Sequence, residues 1–398
     1  MEVVFPSSFL WGASLSSYQT EGDNFNCDWY FWEKEKNLTP SNKASNHYNL
    51  FKEDFKLAKE LNLNSLRISF EWARLYPKKD EFNEKELLHY REVIDTLKSL
   101  SIKPVICLHH FTNPYWFYRQ DGWLNLKNID YFLKYLNNVV RNFLDVEYWL
   151  IFNEPLVYIY NGFISGIWPP GIKSFNCAKK AFLNIKTAYR IGYREIKNIY
   201  KDKISKISFS KHIKIFRPCR HFSFCLNNLN AFLRDRIFNF SILEDLVKYL
   251  DFIAINYYTK EYVHFSGLYG KECLEYNTNE SKNSLGWYIY PSGLYEILIR
   301  LKRFNLPIMI SENGTSEVKD YLYEDFFFSH LKSLARALND KVNIFGYFWW
   351  SLIDNFEWDK GFGPRFGLIE VDYNNFERKI RNFAYKYAHV CKNNKLEI

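Results

Sequence analysis

The stretch Tyr148-Trp149-Leu150-Ile151-Phe152-Asn153-Glu154 decides how the rest of the chain is read. An unbroken apolar and aromatic run stops abruptly at an amide and a carboxyl. Such a run is the pattern of a strand covered on both faces, as in a parallel sheet packed against helices. Working outward, similar runs occur at 9–13, 64–69, 104–110, 206–210, 252–256, 307–311 and 345–350. Apolar residues at helical spacing occupy 46–60, 84–100, 129–143, 178–200, 229–249, 291–303, 324–337 and 377–391. Strand-then-helix units repeating without a Pro-, Gly- or Ser-rich linker predict an α/β fold, a single (β/α)8 TIM barrel with 1–398 as one domain. From pattern alone, a doubly wound open sheet is the alternative.

Composition narrows the function classes. The net charge is +8, from 53 basic and 45 acidic residues. These charges are scattered along the chain, so a nucleic-acid partner is not expected. No apolar run reaches the roughly 18 residues of a membrane span, so no membrane partner is expected either. Phosphate-loop, dinucleotide and zinc-finger patterns are absent, and neither a cofactor nor a metal is expected. The seven cysteines are odd in number and widely spread. They predict free thiols in a reducing compartment, with pairing of Cys219 and Cys225, or metal binding by them, as the less favoured readings. The start of the sequence has no apolar segment of the kind that directs export, which with the thiols predicts a cytoplasmic protein. A sequon, Asn313-Gly314-Thr315, follows Glu312, where a glycan would obstruct any site at that residue. Aromatics reach 20%. Codon bias accounts for much of the Phe and Tyr, but not for 12 Trp, a residue that covers the apolar faces of sugars.

In parallel barrels chemistry sits at the C-terminal ends of the strands. Here those ends carry Arg67, His109, His110, Asn153, Glu154, Asn256, Ser311, Glu312 and Trp350. Two are carboxyls, on the fourth and seventh strands, on opposite sides of a closed mouth. Alone, either glutamate is more often a helix cap or an ion-pair partner. As a pair they suit cleavage of a glycosidic bond. One acid protonates the leaving oxygen, and one carboxylate meets the charge at the anomeric carbon; a spacing of about 5–5.5 Å gives retention.

The flanking motifs carry a family resemblance. They are Phe9-Leu-Trp-Gly-Ala-Ser-Leu-Ser-Ser-Tyr-Gln-Thr-Glu-Gly22, Leu66-Arg-Ile-Ser69, Leu108-His-His-Phe111, Asn153-Glu-Pro155, Asp251-Phe-Ile-Ala-Ile-Asn-Tyr-Tyr-Thr259, Ser311-Glu-Asn-Gly314, Trp350-Ser-Leu-Ile-Asp-Asn-Phe-Glu-Trp358 and Gly363-Pro-Arg-Phe-Gly367. In this order the chain resembles glycoside hydrolase family 1, the β-glucosidase and β-galactosidase family, as a shortened member. The resemblance implies Glu154 as acid/base and Glu312 as nucleophile, supported by Arg67, Asn256 and Tyr258. It implies sugar contacts from Gln19, His110, Asn153, Tyr258, Trp350, Glu357 and Trp358, with Trp350 as the floor beneath the ring. Trp349 and Trp350 point opposite ways on a strand, so only one can line the mouth.

These residues imply a retaining β-glycosidase. Its partner would be a small-molecule β-glucoside, β-galactoside or β-fucoside, or a short oligosaccharide. Glu357 stands where phospho-glycosidases of the family usually have a small residue, and a carboxylate there would repel phosphate. The region from 172 to 250 lacks the family's usual segment, Phe111 replaces a common tryptophan, and the loops before Asn46 and after Lys260 are trimmed. The leaving-group side is therefore expected to be altered and more open. A transglycosylase using the same intermediate and a catalytically silent sugar-binding barrel remain as alternatives. Nothing in the sequence indicates the oligomeric state.

Overall fold

The apolar runs are strands, and they close on themselves. A computed structural model describes residues 2–397 apart from 202, 220–223, 267–270, 274–279 and 318. The barrel strands are β1 (Leu10–Ser14), β2 (Ser65–Ser69), β3 (Lys103–Cys107), β4 (Tyr148–Asn153), β5 (Lys206–Pro218), β6 (Ile253–His264), β7 (Ile308–Asn313) and β8 (Ile344–Trp350). Each pairs in parallel with its sequence neighbour, and β8 pairs with β1 to close the ring. The main covering helices are α1 (His47–Glu60), α2 (Glu84–Ser99), α3 (Ile129–Asn142), α4 (Phe175–Tyr200), α5 (Phe224–Arg234), α6 (Pro291–Leu301), α7 (Asp320–Asn339) and α8 (Asn382–Asn393). The closed barrel excludes the open-sheet alternative.

Local chemistry sets these boundaries. The Asn83 side chain accepts from the Lys85 and Glu86 amides and starts α2. Ser174 accepts from the Cys177 amide and starts α4. Such caps satisfy amide groups that the first helical turn leaves without partners. In α3 the buried residues Phe132, Leu133, Leu136, Val139 and Val140 form one stripe facing the barrel.

Two layers of apolar contact result. Alternate strand residues such as Trp149, Ile151, Ile308 and Ile310 join the helices in the outer core. The residues between them turn inward: Leu10, Val105, Cys107, Leu150, Ala254, Met309 and Phe348 fill the lower barrel. Above this plug the interior becomes polar, and the candidate site begins there.

Three regions differ from the sequence reading. Strands β5 and β6 were expected to end at 210 and 256. They continue instead, pairing with each other from Ser210↔Ala254 out to Pro218↔Val263. Mutual pairing, rather than barrel closure, sustains them there. The segment read as one helix over 229–249 is α5, a π turn at Asp235–Phe240 and a short helix at Ser241–Leu246. The closing helix starts late because Arg378–Ile380 is a strand paired with Ile369–Val371.

The extension also overturns the expectation of free thiols at two positions. Cys219 and Cys273 form a disulfide, while Cys225 is exposed and unpaired. The Cys219 amide donates to the Val263 carbonyl (2.9 Å) and the Cys273 amide to the Tyr262 carbonyl (2.8 Å). Strand β6 thus draws together two cysteines 54 residues apart, a proximity that sequence spacing does not reveal. Cross-linking that interval removes loop entropy worth on the order of 4 kcal/mol from the unfolded chain. Cys273→Ser is expected to lower Tm by a few degrees. Non-reducing peptide mapping should recover a Cys219–Cys273 peptide pair. Equal melting of variant and wild type, with no such pair, would remove the bond.

Candidate active site

The polar layer is organised around Arg67, which is fully buried in the middle of β2. Its Nη1 donates to Glu312 Oε1 at 2.5 Å, and its Nη2 to Asn153 Oδ1 (2.6 Å) and Ser210 Oγ (3.1 Å). Tyr258 OH donates to Glu312 Oε2 at 2.6 Å. Both oxygens of Glu312 are therefore held by donors. Asn256 Nδ2 donates to Glu154 Oε1 (2.7 Å) and to Asn153 Oδ1 (3.1 Å). A chain of polar contacts thus runs from Glu154 through Asn256, Asn153 and Arg67 to Glu312.

Bulges turn these side chains inward. From Leu150 to Asn153, β4 spends one residue more than β5 does from Ser208 to Ser210. Likewise β7 spends an extra residue around Ser311–Glu312 against both neighbours. Such insertions re-aim side chains at the end of a strand. Glu154 itself lies at φ +41°, a left-handed conformation that costs a non-glycine residue free energy. Gly314 is fixed by close approach: a Cβ there would lie 2.0 Å from the Trp350 carbonyl oxygen.

The two carboxyls differ electrostatically. Burial, aided by the charge of Glu154, pushes Glu312 up to about 7 against the pull of Arg67 and Tyr258. Burial also works against the charged form of Glu154. There, the His212 ring, Asn256 and Lys211 together outweigh it, and that carboxyl sits below its ordinary value. Because the charge of Glu154 bears on Glu312, the two carboxyls titrate as a pair.

The remaining expected residues surround this pair. His110 is buried and kept neutral, first by that burial and then by Arg67. Its Nε2 meets Asn153 Nδ2 at 3.1 Å, while Nδ1 has no partner among the described residues. Gln19 Nε2 donates to the Phe356 carbonyl (2.9 Å) and contacts Glu357 Oε2 (3.3 Å), while its Oε1 has no partner among the described residues. Trp350 stacks beside His110, with ring centroids 5.9 Å apart. Trp349 turns outward against Phe326 and Phe383, so Trp350 is the tryptophan of that pair at the mouth. Trp358 lies at φ +50° and stacks on Tyr18 at 5.8 Å. His109 points away, with Nε2 on Asn113 Oδ1 at 3.0 Å amid Trp123, Phe152 and Tyr158.

Burial pushes Glu357 up to about 8, with Glu312 adding to the shift, and it forms no ion pair among the described residues. Near neutral pH it is therefore mainly a neutral acid, which weakens the simple picture of a fixed charge repelling phosphate. Asn313 is fully buried, and its Nδ2 donates to the Tyr257 carbonyl at 2.7 Å. The sequon cannot take a glycan in the folded protein and says nothing about location.

Sequence reading missed Lys211 and His212, which sit just past the expected end of β5. Their only signal was an apolar–polar alternation continuing beyond Ser210. His212 lines a cavity of about 200 Å3 beside Tyr258, together with Lys214, Lys260, Glu261 and Trp287. The paired extension of β5 and β6 walls this side. Part of the region expected to be trimmed after Lys260, at 267–270 and 274–279, lies outside the described residues.

The sequence profile of glycosyl hydrolase family 1 matches residues 1–222 and 233–396. The chain belongs to that family. The β-galactosidase of Pyrococcus woesei is 29% identical over 483 aligned positions, covering 94% of each chain. That alignment is longer than the 398 residues here, so this family 1 member is a shortened one. The structure of a β-glycosidase from Pyrococcus horikoshii superposes with a TM-score of 0.94 at 34% identity, covering 100% of this chain and 97% of that one. The β-glucosidase from Thermotoga maritima in complex with noeuromycin gives 0.91 at 29%, covering 99% and 100%. The interruption in the profile falls within α5, in the region where the sequence departs from the family pattern.

Gly314→Ala forces a methyl group into the Trp350 backbone. We expect it to cost about 2–3 kcal/mol of stability and to displace Glu312. Thermal melting and turnover by this glycosyl hydrolase test it together. An unchanged melt with full activity would show that the approach is not tight.

Proposed function

We propose that this family 1 hydrolase is a retaining β-glycosidase acting on unphosphorylated β-glucosides, β-galactosides and β-fucosides, with 1–398 working as one catalytic domain. Glu154 is the acid/base and Glu312 the nucleophile. The observation that carries this reading is the unlike surroundings of the two carboxyls. Glu312 is held on both oxygens by donors, one a guanidinium, which suits a group that must leave again as a carboxylate. Glu154 is hydrogen-bonded at Oε1 by a neutral amide. In the first step it protonates the leaving oxygen while Glu312 attacks the anomeric carbon. In the second it takes a proton from water, whose oxygen displaces Glu312.

In the unliganded site the shared proton favours Glu312, which sits near 7. The working cycle needs it on Glu154. Positive charge developing at the anomeric carbon favours ionised Glu312, and a hydrogen bond to the glycosidic oxygen favours protonated Glu154. Substrate thus draws the proton across.

His110 Nδ1 and Gln19 Oε1, without partners among the described residues, offer a donor and an acceptor to sugar hydroxyls, and we assign Asn153 to the 2-hydroxyl. A phosphate at the far end of the sugar would meet the Glu357 carboxyl with no cation paired to it among the described residues. A cytoplasmic location rests on the five free cysteines; the Cys219–Cys273 bond is the observation against it. Among the described residues no helix is long and apolar enough to cross a membrane. The cavity beside Tyr258 could also seat an alcohol acceptor, which is the ground for transglycosylation as the second reading.

Wild type should hydrolyse aryl β-glucoside, with β-sugar as the first anomer seen by NMR. Glu312→Ala should lose about 10^4-fold or more in kcat. Glu154→Gln should lose about 10^2–10^4-fold on poor leaving groups and far less on activated ones. The dependence of kcat/KM on pH should be bell-shaped, bounded below by the titration of Glu154 and above by that of Glu312 near 7, since the reactive form holds one proton on the pair. Early α-anomer would overturn retention, and no turnover across aryl β-glycosides would leave a sugar-binding barrel. Glycosyl transfer to an added alcohol outrunning hydrolysis would favour the transglycosylase.

A further inference from the structure

Beyond the pair of carboxyls, the barrel mouth holds one ring that the glycosidase reading above does not use. His212 follows the buried Lys211 on β5 and is register-paired with Asn256 on β6. Its Nδ1 lies 3.4 Å from Glu154 Oε1, the same oxygen that accepts from Asn256 Nδ2 at 2.7 Å. Two neighbouring strands therefore hold one oxygen of Glu154, and Oε2 is left for the leaving group and then for water. The ring is packed in place, with centroids 6.1 Å from Tyr258 and 5.9 Å from Phe238.

We propose that His212 is a positioning residue of the glycosidase reaction, gripping Oε1 of Glu154 from the leaving-group side and stabilising the carboxylate that receives the water proton in the second step. The inference rests on the proposed roles of Glu154 and Glu312 and adds a residue to them.

The charged surroundings fix the sign of the effect. Burial above all, and Lys211 and Lys214 from β5, oppose a charge on His212, while Glu154 favours it; the balance holds the ring below its ordinary value. From β6, Glu261 faces the ring, but it is bound by Lys214 at 2.8 Å and by Arg234. Tyr258 keeps its proton, being buried and beside Glu312. From β7 and the loop after β8, Glu312 and Glu357 bear on Glu154 only as further carboxyls; Arg67 on β2 is engaged with Glu312. The His212 ring thus favours the ionised form of Glu154, as burial on its own does not. In the second step a water O–H bond breaks, its oxygen bonds to the anomeric carbon, the bond to Glu312 breaks, and the proton goes to Glu154. A ring at Oε1 favours the reactant carboxylate before that transfer. In the first step it makes Glu154 a more willing donor.

The test is the acid limb of kcat/KM against pH: in the free enzyme Glu154 titrates below Glu312, so the lower limb follows Glu154. His212→Asn removes the ring's pull on the carboxylate and should move that limb up by about one unit on an aryl β-glucoside with a poor leaving group. Reciprocally, Glu154→Gln should lower the titration of one histidine ring by about one unit, read from imidazole proton resonances. The proposal falls if the limb of His212→Asn superimposes on wild type, or if no ring moves in Glu154→Gln. Should His212→Asn fail to fold, the Glu154→Gln titration decides alone. A wild type that cleaves no aryl β-glycoside overturns the hydrolytic reading by itself, while the ring titration still reads the contact.

Discussion

A guanidinium enclosed in the barrel is the constraint on which the upper half of the molecule depends. Arg67 exposes no surface, and an ion so placed costs several kcal/mol unless it is paired and hydrogen-bonded. Its partners come from β7 (Glu312), β4 (Asn153) and β5 (Ser210). Four strands must therefore converge on one group. The apolar plug below, with Met309, Leu150 and Phe348, supports that convergence from beneath. Removing Arg67 would strand a carboxylate inside the barrel. The side chain that orders the nucleophile candidate is thus the one that satisfies the polar core, and neither role can be altered without the other.

Bulges make the convergence possible. Strict alternation from Leu150 would turn Asn153 outward. The extra residue on β4 turns it in, and φ +41° at Glu154 brings the next side chain to the same side. The insertion in β7 does the same for Ser311 and Glu312, whose neighbour Ser311 donates to Asn256 Oδ1 at 2.7 Å. Consecutive residues on each carboxyl strand can then face the interior, an arrangement that regular pleating forbids. Backbone strain is stored at these strand ends and at Phe111 and Trp358, which also have positive φ.

This explains which features were legible in the sequence. Tyr148–Asn153 was read with its observed bounds because continuous burial leaves an unbroken apolar run. Glu154, Glu312, Arg67, Asn256, Tyr258 and His110 were found because each belongs to a motif at a strand end. His212 was not found, since it lies on a stretch of β5 that alternates and reads as surface. Its setting exists only because β6 extends in step with β5. The Cys219–Cys273 contact was hidden for the same reason. Trp349 and Trp350 were separated correctly by alternation, as no bulge falls between them. Periodicity thus carried the barrel, motifs carried the sugar side, and neither carried contacts made by pairing beyond the barrel wall.

The two sides of the site are held by different means. The loop bearing Glu357 and Trp358 is anchored by several strong contacts. Asp354 accepts from Arg381 (2.8 Å) and from the Gly367 amide (2.9 Å), and Gln19 bonds the Phe356 carbonyl (2.9 Å). Trp358 is wedged among Tyr18, Trp29 and Trp168. A pocket fastened to strand ends and buried ion pairs tolerates loss of surface loops, because those loops contribute little to its geometry. The leaving-group side is built otherwise, from the paired extension of β5 and β6, where Lys211, His212 and Lys214 stand. The family motifs thus lie on the firmly anchored side, and the surroundings of Glu154 on the other side are set by this chain's own extended strands.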